Sequence, residues 1–163
     1  MSMQIAQGIA LPFDRNLEID SVLPHRDSMR LIDRVVDWQA DAIVVEVDVP
    51  AQGLFTTPDG VPAWVGVEYM AQAIAAWAGC GARQAGRAPS IGFLLGTRRY
   101  TAHQPYFAAG TCLRVEARCE LLGENGLGMF ACRILAGDIE LAVANVSVFE
   151  PRDAMAYLES GEA

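Results

Sequence analysis

Residues 65 to 84 have the pattern of one long helix that lacks a polar face. The segment is rich in Ala, Met and Gln, which favour helices, and its larger residues recur at helical spacing. The recurring residues are Tyr69, Ala73, Ala76, Trp77 and Cys80. An amphipathic surface helix is excluded because no polar face occurs before Arg83. The helix must be covered on most sides, and a sheet that curls around it would provide that cover.

Two segments around this helix alternate between apolar and polar residues, as strands with one buried face do. The first covers residues 43 to 49, and its inner side is predicted to hold Ile43, Val45, Val47 and Val49. The second covers residues 113 to 121, and its inner side is predicted to hold Leu113, Val115, Ala117, Cys119 and Leu121. In both segments the residues that alternate with these inner positions are mostly charged and are predicted to face solvent.

Four more segments are predicted to be extended, at residues 29–38, 91–100, 127–135 and 139–149. Turn signals separate the later strands, at Glu124-Asn125-Gly126 and at Ala136-Gly137-Asp138. Adjacent strands joined by such tight turns pair in antiparallel fashion. The sequence therefore predicts an α+β fold, with an antiparallel sheet of five or six strands around the helix. We expect a single domain over residues 1–163, with its core at about 17–150.

Composition excludes several classes of function. The net charge of −8, without any basic cluster, argues against nucleic acid as a partner. The chain has no lysine, so lysine-based covalent catalysis is excluded. Its four cysteines have no metal-ligand spacing, so we expect neither a metal site nor a cofactor. The most apolar stretch is shorter than the about 20 residues that cross a bilayer, so we expect a cytoplasmic chain without a membrane span.

Positive charge is concentrated in the middle of the chain. Residues 69 to 115 contain no Asp or Glu, but they contain Arg83, Arg87, Arg98, Arg99 and Arg114. An anionic ligand would be attracted to this part of the chain. The alternative is that acidic residues are missing there because most of the stretch is buried helix and strand.

Residues 23–35 and 53–73 carry two separated motifs, and these resemble the motifs of the FabZ-type 3-hydroxyacyl-acyl-carrier-protein dehydratases. The first motif, similar to the family opening "LPHR…LLVDRV", is Leu23-Pro24-His25-Arg26 followed by residues 29–35. The second, similar to the active-site loop and helix start "GHFP…PGV…E-x-M-A-Q-A", runs from residue 53 to residue 73. Gly53 to Glu68 spans 16 residues, which is the family's spacing. Pro62-Ala63-Trp64 is closer to the ApeP branch, the dehydratase-like proteins of aryl polyene clusters.

The resemblance implies a hotdog fold, in which the sheet wraps the central helix and two subunits join their sheets edge to edge. It implies a 3-hydroxyacyl thioester as substrate, delivered on acyl carrier protein or coenzyme A. In the family a loop His of one subunit and a helix carboxylate of the other remove water together. Glu68 falls on the family carboxylate, and Gln72 follows one helical turn later. The residues expected to contact substrate are Leu54, Phe55, Ala63, Trp64, Arg98 and Arg99.

One position departs from the family, because Leu54 occupies the place of the catalytic His. Leucine can neither accept nor donate a proton. The two histidines of the chain are His25 and His103. His25 belongs to the opening motif, where the family His is not catalytic, so it is a weak catalytic candidate whose expected role is structural. His103 follows a predicted strand and is expected at the surface.

Three functions remain open from the sequence. The first is an active dehydratase of fatty acid or polyene-type biosynthesis that uses Glu68 and a substitute base. The second is a catalytically reduced, acyl-binding subunit that pairs with a His-bearing dehydratase. The third is a hotdog acyl thioesterase, in which the helix carboxylate activates water. A homodimer and a heterodimer with a related hotdog protein are both compatible with these functions.

Overall fold

The computed structural model describes residues 13–88 and 92–161. The central helix α1 covers Gly66–Gln84, and a short helix α2 covers Ala154–Glu159. The strands are β1 Arg34–Gln39, β2 Ala42–Asp48, β3 Val61–Pro62, β4 Phe93–Ala102, β5 Tyr106–Phe107, β6 Cys112–Leu122, β7 Leu127–Ala136 and β8 Ile139–Phe149. Single 3-10 turns cover Ile19–Ser21, Asp27–Met29 and Ala63–Val65.

Six strands form one antiparallel sheet in the order β1-β2-β6-β7-β8-β4. The predicted α+β arrangement, with its helix and all six strands, is therefore confirmed. The strands β3 and β5 form a separate two-residue pair that the sequence did not predict. Strand β4 follows the helix in the chain, but in the sheet it pairs with β8 and lies at one edge. Strand β1 lies at the other edge.

The core lies between α1 and one face of the sheet. Helix α1 contacts β2, β6, β7 and β8. Their inward-facing residues are Ile43, Val45, Leu113, Val115, Phe130 and Ile134, all nearly inaccessible to solvent. The expected cover of the helix is incomplete within one chain, since Ala71, Ala75 and Ala78 are only half-buried. These three alanines follow one face of the helix at spacings of four and three residues.

Two details of the strand prediction were wrong. Leu121 was expected to face inward, but its side chain is 53% exposed because the β6–β7 register shifts between Cys119 and Leu121. The first strand was expected from residue 29, but Met29 closes a 3-10 turn and β1 begins at Arg34. The predicted strand start at residue 91, and residues 1–12 and 162–163 of the predicted domain, lie outside the described residues.

Helix α1 approaches the N-terminal segment so closely that one position admits no side chain. A Cβ atom on Gly79 would lie 1.8 Å from the carbonyl oxygen of Val22. Gly81, two residues later, has ordinary space, since its nearest neighbour would be Trp38 Cζ2 at 3.9 Å. Among the described residues, no helix has both the length and the hydropathy that crossing a membrane requires.

This contrast yields a stability prediction. Gly79→Ala is expected to lower the free energy of unfolding by about 1–3 kcal/mol, because the helix must move away from Val22. The matched control Gly81→Ala is expected to be neutral or to stabilise by up to about 1 kcal/mol, because alanine favours the helix. Urea denaturation of both variants measures the difference. Equal stabilities would contradict the close packing at Gly79.

Candidate functional site

Glu68 lies in the first turn of α1, and its side chain is 35% exposed. The chain enters this helix through the 3-10 turn Ala63–Val65, which gives α1 a fixed starting point. An acidic residue in the first turn is favoured by the helix dipole. This placement gives Glu68 a structural reason to be where it is, and it also directs the carboxyl group towards a cavity.

The cavity next to Glu68 has a volume of about 230 Å³ and mostly apolar walls. One wall is the face of α1 that carries Ala71, Ala75 and Ala78. The opposite walls come from the ends of four strands, through Phe93, Leu94, Leu122, Phe130, Val148 and Phe149. From Glu68 to Ala78 the helix rises about 15 Å, at 1.5 Å per residue. The arrangement is a mostly apolar groove with the Glu68 carboxyl group beside the start of the helix; Glu150 also lines it.

Gln72 is completely buried and holds the carboxyl group of Glu68. Its Nε2 donates to Glu68 Oε1 at 3.2 Å and to the carbonyl oxygen of Met29 at 2.7 Å. Its Oε1 accepts the backbone N–H of Leu31 at 2.8 Å. Gln72 therefore connects α1 with residues 29–31 of the first motif and with Glu68, the candidate acid.

His25 lines the same cavity, and its Nε2 lies 3.9 Å from Glu68 Oε1. Its Nδ1 is buried and has no hydrogen-bond partner within the described residues. Burial lowers the pKa of His25; the nearby Glu68 opposes this shift and Arg26 adds to it. At neutral pH the ring is therefore uncharged. Since the unfolded chain binds the proton more tightly, His25 reduces stability as the pH falls below its unfolded pKa.

The backbone around His25 is held by the next residue, Arg26. Its guanidinium donates to the carbonyl oxygens of His25 at 2.9 Å and of Asp20 at 2.8 Å, and also to that of Leu23. Three carbonyl groups of an irregular segment are thus satisfied by one side chain. The position of the His25 ring next to Glu68 follows from this anchored backbone.

Leu54 and Phe55 line a different cavity, also of about 230 Å³. Leu54 is 61% exposed, and the ring of Phe55 meets that of Trp64 edge to face at 5.8 Å. Asp33 and Tyr69 are at the base of this second cavity. Burial raises the pKa of Asp33 and raises that of Tyr69 to about 12. Within one chain, the loop that carries Leu54 and the Glu68 carboxyl group therefore belong to separate cavities.

The other predicted contact residues lie outside both cavities. Ala63 is buried, its N–H donates to the carbonyl oxygen of Pro105 at 2.9 Å, and its own carbonyl oxygen accepts from Tyr100. Trp64 is 64% exposed beside the loop of Phe55. Arg98 and Arg99 are exposed on β4. Their part in substrate binding stays a prediction.

His103 lies at the surface, as expected, where it pairs with Glu140 at 3.6 Å. The residues that sequence reasoning missed are the strand-borne cavity walls, such as Phe93 and Leu122. No sequence signal marks them, because their common location depends on the order of strands in the sheet. The nearness of His25 to Glu68 was also missed, although both residues lie in recognised motifs.

The sheet, the wrapped helix and the helix-borne carboxyl group define a hotdog-fold protein. Residues 17–159 match the family model described as ApeP-like, ApeP dehydratase. The chain therefore belongs to the ApeP-like dehydratase family. Comparison with curated protein sequences gives no match.

Solved structures support this fold. A chain of the dehydratase heterocomplex ApeI:P from Xenorhabdus doucetiae is 28% identical, with a TM-score of 0.83; the match covers 91% of this chain and 100% of that one. The PaaI protein from the phenylacetic acid degradation operon of Escherichia coli is 16% identical, with a TM-score of 0.55 and coverage of 71% and 80%. A hypothetical thioesterase with coenzyme A from Streptococcus pneumoniae is 10% identical, with a TM-score of 0.57 and coverage of 72% and 84%. The latter two likenesses show the fold alone.

The pairing of His25 with Glu68 can be tested by titration. Glu68→Gln is expected to lower the pKa of His25 further, because the carboxylate that favours the charged ring is gone. NMR titration of the ring signals measures this shift, and only two histidines contribute. The control Glu140→Gln alters the carboxylate beside His103 and should leave His25 unchanged. An unaltered His25 pKa in Glu68→Gln would contradict the observed pairing.

Proposed function

We propose that this protein is the carboxylate-bearing subunit of a two-chain dehydratase that removes water from a 3-hydroxyacyl thioester. The observation that supports this most directly is Glu68, which lies beside an apolar groove and is held by Gln72. In this role the groove binds the acyl chain, and Glu68 protonates the departing hydroxyl group. A base takes the proton from C2, and the electrons of that bond form the C2=C3 double bond. The C3–O bond breaks as Glu68 gives its proton to the leaving oxygen, which departs as water.

The base comes from a second hotdog protein in this proposal. Leu54 has no proton to exchange, and it lies in a cavity separate from that of Glu68. A chain of this kind completes a pocket only when the loop of a His-bearing partner reaches Glu68. The similarity to a chain of a dehydratase heterocomplex supports this pairing.

The edge strand β4 is the surface that we propose for the partner. In the sheet formed by the described residues β4 is an edge strand, with β8 as its neighbour, and an edge strand is a template for pairing with another chain. Its Leu94 and Leu95 are 41% and 55% exposed. Phe93 and Leu94 also form part of the groove wall, so a partner sheet joined there would adjoin Glu68.

The carrier of the thioester is proposed to be anionic, either acyl carrier protein or coenzyme A. Arg83, Arg87, Arg98 and Arg99 are exposed, and none has an ion-pair partner in the described parts of the chain. In contrast, Arg34 and Arg133 are paired with carboxylates. Unpaired guanidinium groups remain available for phosphate, which they bind through forked donors.

Turnover of purified proteins tests the proposed function. This chain is mixed with a His-bearing hotdog dehydratase from the same genome and supplied with 3-hydroxyacyl thioesters of coenzyme A or acyl carrier protein. Enoyl thioester should form in the mixture and not with this chain alone. Glu68→Gln in the mixture should lower turnover by about 100-fold or more, because the proton donor is lost. The matched control Glu140→Gln lies on the surface and should not change turnover.

Three outcomes would contradict this function. Full activity of this chain alone would remove the need for a partner base. Release of the free acid instead of enoyl thioester would identify a thioesterase. Unchanged turnover in Glu68→Gln would end the role of that carboxyl group.

A second variant asks whether the base is the only missing group. Leu54→His is expected to give this chain measurable dehydratase activity by itself, because a second copy can then supply the loop histidine. Leu54 is largely exposed, so the change leaves the core intact. Leu54→Gln is the control, since it is polar but not a base, and it should stay inactive. If Leu54→His stays inactive while the two-protein mixture turns over, the partner contributes more than a base.

A further inference from the structure

We infer that His25 is a positioning residue for Glu68, which holds the acidic proton on the carboxyl oxygen that meets the substrate. This inference rests on the proposed function, because it concerns the same carboxyl group. The observation behind it is that two side-chain nitrogens lie close to a single oxygen. Glu68 Oε1 accepts a hydrogen bond from Gln72 Nε2 at 3.2 Å, and His25 Nε2 lies 3.9 Å from the same oxygen.

The arrangement determines which His25 nitrogen carries the proton. An uncharged imidazole has one N–H, which can be on Nδ1 or on Nε2. On Nδ1 it would be a buried donor without an acceptor, because that atom has no partner in the described structure. On Nε2 it would have the Glu68 carboxyl group as its nearest acceptor, with Oε1 at 3.9 Å. The Nε2–H form is therefore favoured, and the ring acts as a donor towards Glu68.

The gap between His25 and Glu68 is small enough to close. A normal N–H···O bond measures about 2.9–3.0 Å, so the two side chains need to approach by about 1 Å. The His25 ring makes no other hydrogen bond in the described chain, and both side chains are about one-third exposed, at 30% and 35%. No hydrogen bond therefore holds the His25 ring away from Glu68, whose carboxyl group is held by Gln72, and the backbone of His25 is fixed by Arg26.

This geometry has a direct consequence for the acid. An oxygen that accepts one or two N–H donors is a poor site for the carboxyl proton, because the proton would compete with those donors. The proton of Glu68 is thus directed to Oε2, which has no hydrogen-bond partner among residues 13–88 and 92–161. Oε2 is the oxygen left to meet a substrate hydroxyl group in the groove. Gln72 and His25 thereby determine which oxygen carries the proton whenever Glu68 acts as the acid.

Two substitutions separate this role from others, because glutamine and asparagine reproduce different atoms of the ring. The amide nitrogen of His25→Gln reaches the place of Nε2, whereas that of His25→Asn reaches only the place of Nδ1. His25→Leu removes both donors. In the two-protein mixture, His25→Gln should keep turnover within about threefold, whereas His25→Asn and His25→Leu should lower kcat by about 10- to 100-fold with KM little changed.

Two kinetic outcomes would overturn the inference. Wild-type kcat in His25→Leu would show that the ring does not act on Glu68. Complete loss of activity in His25→Gln, equal to that in His25→Leu, would show that the ring exchanges protons and acts as a base. Thermal unfolding of each variant identifies any that fails to fold. If His25→Leu fails to fold, the kcat of His25→Gln compared with that of His25→Asn still tests whether a donor at the Nε2 position is needed.

A measurement on the free chain separates a failure of this inference from a failure of the proposed function. Long-range ¹H–¹⁵N NMR reports which ring nitrogen is protonated, and His103→Gln assigns the two histidines. His25 should show the Nε2–H form in the wild type. The Nδ1–H form would overturn the inference even if the mixture is active, whereas an inactive wild-type mixture with the Nε2–H form would refute only the dehydratase function.

Discussion

The geometry of the candidate site depends on the hydrogen bonds made by the buried side-chain amide of Gln72. A side-chain amide that loses water without gaining bonds is penalised by about 2–7 kcal/mol, so Gln72 needs partners in the interior. It finds them on Met29 and Leu31, more than 40 residues earlier in the chain, and on Glu68. These bonds hold residues 29–31, which belong to the first motif, against α1. The two motifs recognised in the sequence are therefore parts of one hydrogen-bonded unit.

The same bonds explain where the first strand begins. Residues that bond to a side chain of α1 cannot at the same time form a regular ladder with a neighbouring strand. Alternation of apolar residues predicted the strands near residues 43 and 113, because each strand there has one buried face. It failed at Leu121, because a register shift re-aims the end of β6 and depends on pairing with β7. Local patterns thus predict elements well and irregular pairing poorly.

The candidate acid could be read from a motif, but its surroundings could not. Glu68 and Gln72 share a helix face at a spacing that sequence alone reveals. The groove walls come from β6, β7 and β8, which are consecutive in the chain, and from β4, which becomes their neighbour only through the sheet order. His25 next to Glu68 is a tertiary contact of the same kind. The identity of Leu54 was visible at once, but the structure adds that its loop and Glu68 lie in separate cavities of one chain.

Strand β4 is both an edge strand of the described sheet and part of the groove wall, and this double position has a thermodynamic consequence. If a partner sheet adds to β4, the free energy of assembly and that of acyl binding become linked, because both processes bury the same residues. The linkage is reciprocal, so the factor by which a filled groove changes the affinity between the subunits equals the factor by which assembly changes the affinity for the acyl chain. Subunit affinity measured without ligand would then differ from the affinity during turnover. An enzyme built in this way would register its substrate as a change in its own oligomeric equilibrium.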